Sequence, residues 1–280
     1  MNRDRYRRLA VVGVGLIGGS VAAAARRRGL AERVVGVVRS AERIGRVEAC
    51  DLVDEVTADL AAGCRDADLV VIATPVGTIA ALALEAAEHA SADAVLTDGG
   101  STKAGIVAHV TRRCPRFVGA HPLAGDHRTG PEAARHDLFD GAVTVLTPTD
   151  DNPDDAVGAA RRFWEALGSR VVTTTPERHD ELLALTSHVP HVAAAAVAAT
   201  TPADAMPLAA TGWADTTRVA GGSPDLWREI LLANPGPIAA GLRRLATEIE
   251  AYAAALDRRD ADALQRLLTE GKRRRDALGS

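Results

Sequence analysis

The stretch Gly13-Val14-Gly15-Leu16-Ile17-Gly18-Gly19-Ser20 constrains this chain more than any other. It follows the apolar run Leu9 to Val12 and opens an Ala-rich segment, Leu16 to Arg28, that reads as a helix with Gly29 where a C-cap belongs. The pattern is a strand, a tight glycine turn and a helix. Gly13 permits the turn, Gly15 lets backbone approach a pyrophosphate, and Gly18 lets helix and strand pack closely. The N–H groups at Leu16 and Ile17 then lie at the positive helix end, where phosphates bind. A dinucleotide site is the expectation for this half of the chain.

The next strand sharpens which dinucleotide. Arg33 to Val38 ends at Arg39-Ser40, a position where an acidic residue would hold the ribose hydroxyls of NAD and a basic one accommodates a 2′-phosphate. Arg39, Ser40 and nearby Arg43 therefore favour NADP over NAD, although an Arg can also stack on adenine. Leu69 to Thr74 is apolar on both faces, as a central parallel strand should be, and puts Thr74-Pro75 at the ligand-binding edge. Ala94 to Thr97 runs into Asp98-Gly99-Gly100-Ser101-Thr102-Lys103, with Ser101 or Thr102 placed to cap a helix reaching Arg113. Arg116 to Ala120 delivers His121-Pro122 and a loop rich in Gly, Asp and His. Two further strands, Ala142 to Thr147 and Arg170 to Thr175, flank a helix from Pro153 to Leu167.

From Pro176 the alternation stops and the chain reads as helix: Glu177 to Thr200, a break at Thr201-Pro202, then Asp225 to Ala233, Gly236 to Leu256 and Asp260 to Leu278. The expected architecture is α/β: a doubly wound, parallel-sheet Rossmann domain over residues 1–175, followed by an all-α dimerisation domain over 176–280. The segment His188 to Thr200 has almost no charged face and must be buried, in its own domain or against a second copy, which predicts a homodimer.

Composition excludes several alternatives. The hydrophobic share is 47% and the charged share 25%, so a packed core is expected rather than disorder. The net charge of -4 gives no footprint for nucleic acid or an anionic membrane surface. Cys50, Cys64 and Cys114 lie in unrelated segments without a C-x-x-C pair, against a disulfide framework or a zinc site, and no metal is expected. Met1 to Arg8 is basic, but the apolar run behind it is broken by Gly13 and Gly15 and lacks a cleavage pattern, which reads as cytoplasmic. No uninterrupted apolar stretch reaches the roughly 18 residues of a membrane span.

Four stretches are hard to explain by packing: Asp98 to Lys103, Gly119-Ala120-His121-Pro122-Leu123-Ala124-Gly125, Thr186-Ser187-His188-Val189-Pro190-His191, and Asp215-Thr216-Thr217-Arg218-Val219-Ala220. With the glycine turn and the downstream Pro224-Asp225-Leu226-Trp227, they make the chain resemble the prephenate and arogenate dehydrogenases of tyrosine biosynthesis, from Leu9 to about Asn234. The resemblance implies oxidative decarboxylation of a cyclohexadienol: hydride passes to nicotinamide, the hydroxyl becomes a carbonyl, and carbon dioxide leaves as the ring becomes aromatic. His121 matches the family's catalytic histidine, and a neutral imidazole is suited to accept the hydroxyl hydrogen. Ser101 matches the serine between that histidine and the cofactor. Arg218 matches the substrate arginine, whose guanidinium can clamp a carboxylate. His188 matches the histidine of the helical domain that faces the substrate, and His191 lies one turn on, with a core histidine as its competing reading. Lys103 reads equally as an anion contact or as helix-start packing.

The chain departs from the family where a glutamate often follows the Ala-Gly pair, since Asp126-His127 stand there. Asp126 would favour the ammonium of arogenate and a protonated His127 the greater negative charge of prephenate, so the choice stays open. No regulatory module or fused mutase is expected in a chain of this length, and any tyrosine feedback would act at the active site. Competing readings are a reductase of the 3-hydroxyacid dehydrogenase type, which would need a catalytic Lys or a Ser and Thr on the helical domain, and a non-catalytic dinucleotide-sensing subunit, which would need neither His121 nor Arg218.

Overall fold

The computed structural model describes residues 5–125 and 128–277. Its strands are β1 (Tyr6–Val12), β2 (Ala31–Val37), β3 (Glu55–Thr57), β4 (Leu69–Ile72), β5 (Val95–Asp98), β6 (Phe117–Pro122), β7 (Val143–Thr147) and β8 (Arg170–Thr173). They form one sheet in the order β3-β2-β1-β4-β5-β6-β7-β8. Helices α1 (Leu16–Arg27), α2 (Ile44–Glu48), α3 (Leu60–Cys64), α4 (Val76–His89), α5 (Ala104–Val110) and α6 (Asp154–Ala166) cover both faces. Alternation along β1 separates two cores: Leu9 and Val11 pack with Val21, Val71 and Trp164, while Ala10 and Val12 pack with Ile72, Ile79 and Leu96. Both faces are thereby buried, as a parallel sheet requires.

The expected parallel sheet is corrected at one place. β7 runs antiparallel to β6, pairing His121 with Val145 and Pro122 with Thr144, and β8 is parallel to β7. A parallel return needs a crossover, usually a helix. Between β6 and β7 the described residues offer only loop and the short 3-10 turn Pro131–Ala133. Between β7 and β8 stands α6, and the crossover is restored.

The glycine turn sits at the edge where strand order reverses beside β1. Gly13 has φ +94, and a Cβ there would meet the Ala73 carbonyl oxygen at 2.6 Å, so only glycine fits against β4. A Cβ on Gly18 would collide with the Gly13 carbonyl, which fixes α1 tightly against the turn. Gly29 follows the end of α1 at φ +65, in the position read from the sequence.

The remaining chain is helical: α7 (Pro176–Leu183), a π-helical segment Ala184–His188, α8 (Val189–Thr200), α9 (Thr211–Thr217), α10 (Pro224–Ala233), α11 (Pro235–Asp257) and α12 (Ala261–Asp276). The Thr175 hydroxyl accepts from the Arg178 N–H at 3.1 Å and Pro176 opens α7, so this helix starts where its cap and proline dictate. The run expected as one helix to Thr200 is interrupted by the π segment, which shifts the faces presented before and after it. Pro176–Thr200 is apolar enough to cross a bilayer by length and composition, yet its His179 and Asp180 are buried beside the sheet. Ile230 of α10 joins the core on the α4 side, so α10 as well as α7 packs against the sheet-bearing part.

Candidate active site

A cleft of about 540 Å³ opens along the C-terminal edge of β1, β2 and β4. Gly13 and Gly15 form its floor, Thr74 and Pro75 one wall, and Arg39, Arg43 and Arg46 its rim. A Cβ on Gly15 would meet no atom within 4 Å, so this position leaves room for close approach of a ligand. No side chain caps α1, and its first N–H groups are left for an anion. The arrangement suits a dinucleotide, with pyrophosphate at the turn and adenosine toward Arg39. Leu16, Ile17, Gly18 and Ser40 do not line the cleft with their side chains. Leu16 and Ile17 pack against the core, and Gly18 makes the helix contact described above. Ser40 precedes the 3-10 turn Ala41–Arg43 without capping it.

Ile17 leads from this cleft to the second half of the site. A Cβ on Gly99 would touch Ile17 Cγ2 at 3.2 Å and Pro122 at 3.8 Å, so α1, the turn after β5 and the end of β6 converge. His121 projects from that end. Its Nδ1 lies 2.9 Å from His179 Nε2, and His179 Nδ1 lies 2.8 Å from Asp180 Oδ1. Burial drives the His121 imidazolium pKa well below its ordinary value, helped by the neighbouring His179, Lys103 and His188. His121 is therefore neutral at physiological pH, able to accept a hydrogen. Burial also lowers His188, to about 4, against the pull of Asp180.

The turn carrying Ser101 is held from below. Lys103 and Asp98 are both 0% exposed and form an ion pair, and Lys103 Nζ also donates to the Ala120 carbonyl at 2.8 Å. Asp98 accepts from the N–H groups of Gly100 and Ala120, each at 2.9 Å. Burial lowers the Lys103 pKa and Asp98 opposes the shift. The reading of Lys103 as an anion contact is corrected: its charge is spent on Asp98, inside the protein. The expected cap by Ser101 or Thr102 is also corrected. The helix begins at Ala104, its N-cap position is Lys103, and no side chain of its own caps it. Instead Asp180 of α7 accepts from the N–H groups of Lys103 and Ala104, at 2.7 and 2.9 Å. Burial works against the Asp180 charge, but His179 and these two N–H groups outweigh it and hold the carboxyl below its usual range.

His191 stacks on Trp227, with ring centroids 3.5 Å apart, and His188 meets the same indole edge-on at 6.1 Å. Nδ1 of both histidines is buried without a hydrogen-bond partner. Arg218 opens the 3-10 turn Arg218–Gly221 that packs on α8; it is exposed and makes no ion pair among the described residues. Ser101 is half-buried on the turn beside Pro122. Asp126 and His127 lie outside the described residues. The sequence reading missed His179 and Asp180. The available signal was a His and an Asp at the i+3 and i+4 positions from Pro176, on the buried stripe that ends at Leu183.

Known proteins resemble this chain over nearly its whole length. Residues 21–173 match the family model described as prephenate dehydrogenase, nucleotide-binding domain, and residues 175–270 the one described as prephenate dehydrogenase, dimerization domain. The chain is 33% identical to a prephenate dehydrogenase of Bacillus subtilis over 96% of this chain and 76% of that protein. It is 32% identical to a cyclohexadienyl dehydrogenase of Zymomonas mobilis over 98% of this chain and 96% of that one. Among solved structures, prephenate dehydrogenase of A. aeolicus in complex with hydroxyphenyl propionate and NAD+ superposes with a TM-score of 0.91 at 30% identity, covering 97% of this chain and 98% of the other. Synechocystis arogenate dehydrogenase gives 0.82 at 31% identity, covering 97% and 99%. With both family models matched in order over most of its length, the chain belongs to the prephenate dehydrogenase family.

Proposed function

We propose that this chain is an oxidoreductase that oxidatively decarboxylates prephenate, arogenate or both, with hydride transfer to a nicotinamide cofactor. The observation that carries the reading is His121, half-buried at the C-terminal end of β6 with its pKa pushed down by desolvation, next to the turn that α1 joins to the dinucleotide cleft. The nicotinamide, when bound, accepts the hydride from the carbinol carbon. His121 accepts the hydroxyl proton as that carbon becomes a carbonyl. The electron pair of the bond to the departing carbon dioxide enters the ring, and the resulting phenoxide oxygen takes the proton back. Reduced nicotinamide and carbon dioxide should therefore form in equal molar amounts; reduction without carbon dioxide would refute the reading.

Arg218 is assigned to a substrate carboxylate, with Ser101, His188 and His191 around the ring. Its exposed, unpaired guanidinium is available for a bidentate contact. Arg218→Gln should raise KM by roughly 10- to 100-fold, the loss of a hydrogen bond to a charged group, while kcat changes much less. A fall confined to kcat in steady-state kinetics would count against the assignment.

For the cofactor we favour NADP. Arg39 and Arg43 stand on the adenosine rim, and no acidic residue closes β2. Arg46 is already engaged, in a bidentate pair with Glu132 at 2.9 and 3.0 Å. Predominant use of NAD would overturn the assignment of Arg39.

The working form is assigned as a homodimer. Leu182, Leu185, Val197, Leu232, Ile249 and Leu256 are exposed on the helical part, a surface that a second copy would cover. Light scattering on a sizing column should give twice the chain mass of 29.2 kDa, and monomer alone would exclude it. We place the enzyme in the cytoplasm, in keeping with three cysteines that form no disulfide.

A further inference from the structure

We infer that His179 and Asp180 form a proton relay behind His121, which fixes the tautomer of the catalytic ring and holds the substrate's hydroxyl proton inside the protein until it is returned. The inference rests on the function proposed above and adds two working residues from the other part of the fold.

The tautomers follow from the donors available. The Asp180 carboxylate can only accept, so His179 Nδ1 carries the hydrogen of the 2.8 Å bond. With that hydrogen on Nδ1, His179 presents the lone pair of Nε2 to accept from His121 Nδ1 across 2.9 Å. His121 is left with its lone pair on Nε2, the nitrogen not engaged by His179. One carboxylate thus sets the basic nitrogen of a ring two hydrogen bonds away.

The proton balance gives the chain its purpose. Each turnover breaks a C–H bond, with hydride to the nicotinamide, and a C–C bond, with carbon dioxide leaving and its electron pair entering the ring. The hydroxyl proton that leaves oxygen in the first event is needed on the same oxygen after the second, so none is released overall. While it is held, His121 Nε2 binds the proton and His121 Nδ1–H can pass its own to His179 Nε2. The positive charge then rests beside the Asp180 anion. His179 is 0% exposed and Asp180 3%, so the charge held on His179 does not meet solvent. Asp180 is itself pinned: it accepts from the N–H groups of Lys103 and Ala104, and its own carbonyl accepts from Asn234 Nδ2 at 2.8 Å. The groups facing His121 among the described residues are His179, Lys103 and His188, and only the His179 branch leads to an anion through an acceptor nitrogen.

The test uses Asp180→Asn, whose single amide oxygen keeps the bond to one of the two N–H groups at the start of α5, and His179→Asn, which leaves that cap untouched. Wild-type turnover tests the proposed function; the ratio of variant to wild type, per cofactor site titrated by fluorescence, tests the relay. Each variant is expected to lose kcat by on the order of 10²-fold, below the roughly 10⁴-fold seen where such an aspartate touches the catalytic histidine directly, with KM little changed. In Asp180→Asn the acid-side fall of kcat/KM moves to lower pH, because the anion that favours the held proton is gone. A kcat loss under about tenfold per occupied site, or an unmoved pH profile, overturns the relay.

Discussion

His121→Asn is expected to lower kcat by on the order of 10²- to 10⁴-fold, the contribution of a positioned general base, while dinucleotide binding is retained. The two effects separate because the residues involved are separate. The cleft assigned to the cofactor is lined by Gly13, Gly15, Thr74, Pro75 and the arginine rim, and His121 is not part of that lining. The ring stands at the end of β6, whose pairing to β7 continues through His121 and Pro122, so the substitution leaves the strand in place. Asparagine keeps a polar group near His179 but cannot take up a proton at neutral pH. Full turnover by this variant in a stopped assay of carbon dioxide and reduced cofactor would show that another group is the base.

Lys103→Met is expected to destabilise the fold by about 3–5 kcal/mol, the usual effect of removing one partner from a buried ion pair. Asp98, fully buried, would keep only its N–H donors from Gly100 and Ala120. Most of the loss is desolvation of that unpaired charge rather than the value of the pair itself. Asp98→Asn added to Lys103→Met should therefore recover part of the stability, a sign that simple loss of packing would not produce. Urea unfolding of the single and double variants measures both. The turn bearing Ser101 and the backbone of Ala120 hang on this pair, so kcat should fall in the single variant as well.

Much of the fold is legible in the sequence because its signals are local. Gly13, Gly18 and Gly29 each answer a backbone demand within a few residues, and the apolar run of β4 announces burial on both faces. The reversal at β7 is different: it depends on the described residues between β6 and β7 forming no crossover helix, a negative signal that leaves no local motif. The start of α5 misled for a related reason. Ser101 and Thr102 are good caps by type, but the cap comes from Asp180, 77 residues beyond Lys103 in the chain. Separation along the chain also hid His179, whose partner His121 lies 58 residues away on another element. Reading His121, His188 and Arg218 required resemblance to a family, since spacing alone does not bring strand ends and a helical segment together.

The most direct test of the central claim is a four-way assay of prephenate and arogenate against NAD and NADP, following the reduced nicotinamide. The account predicts turnover with at least one substrate, favouring NADP; absence of reduction in every combination, by protein shown to bind the dinucleotide, would contradict it.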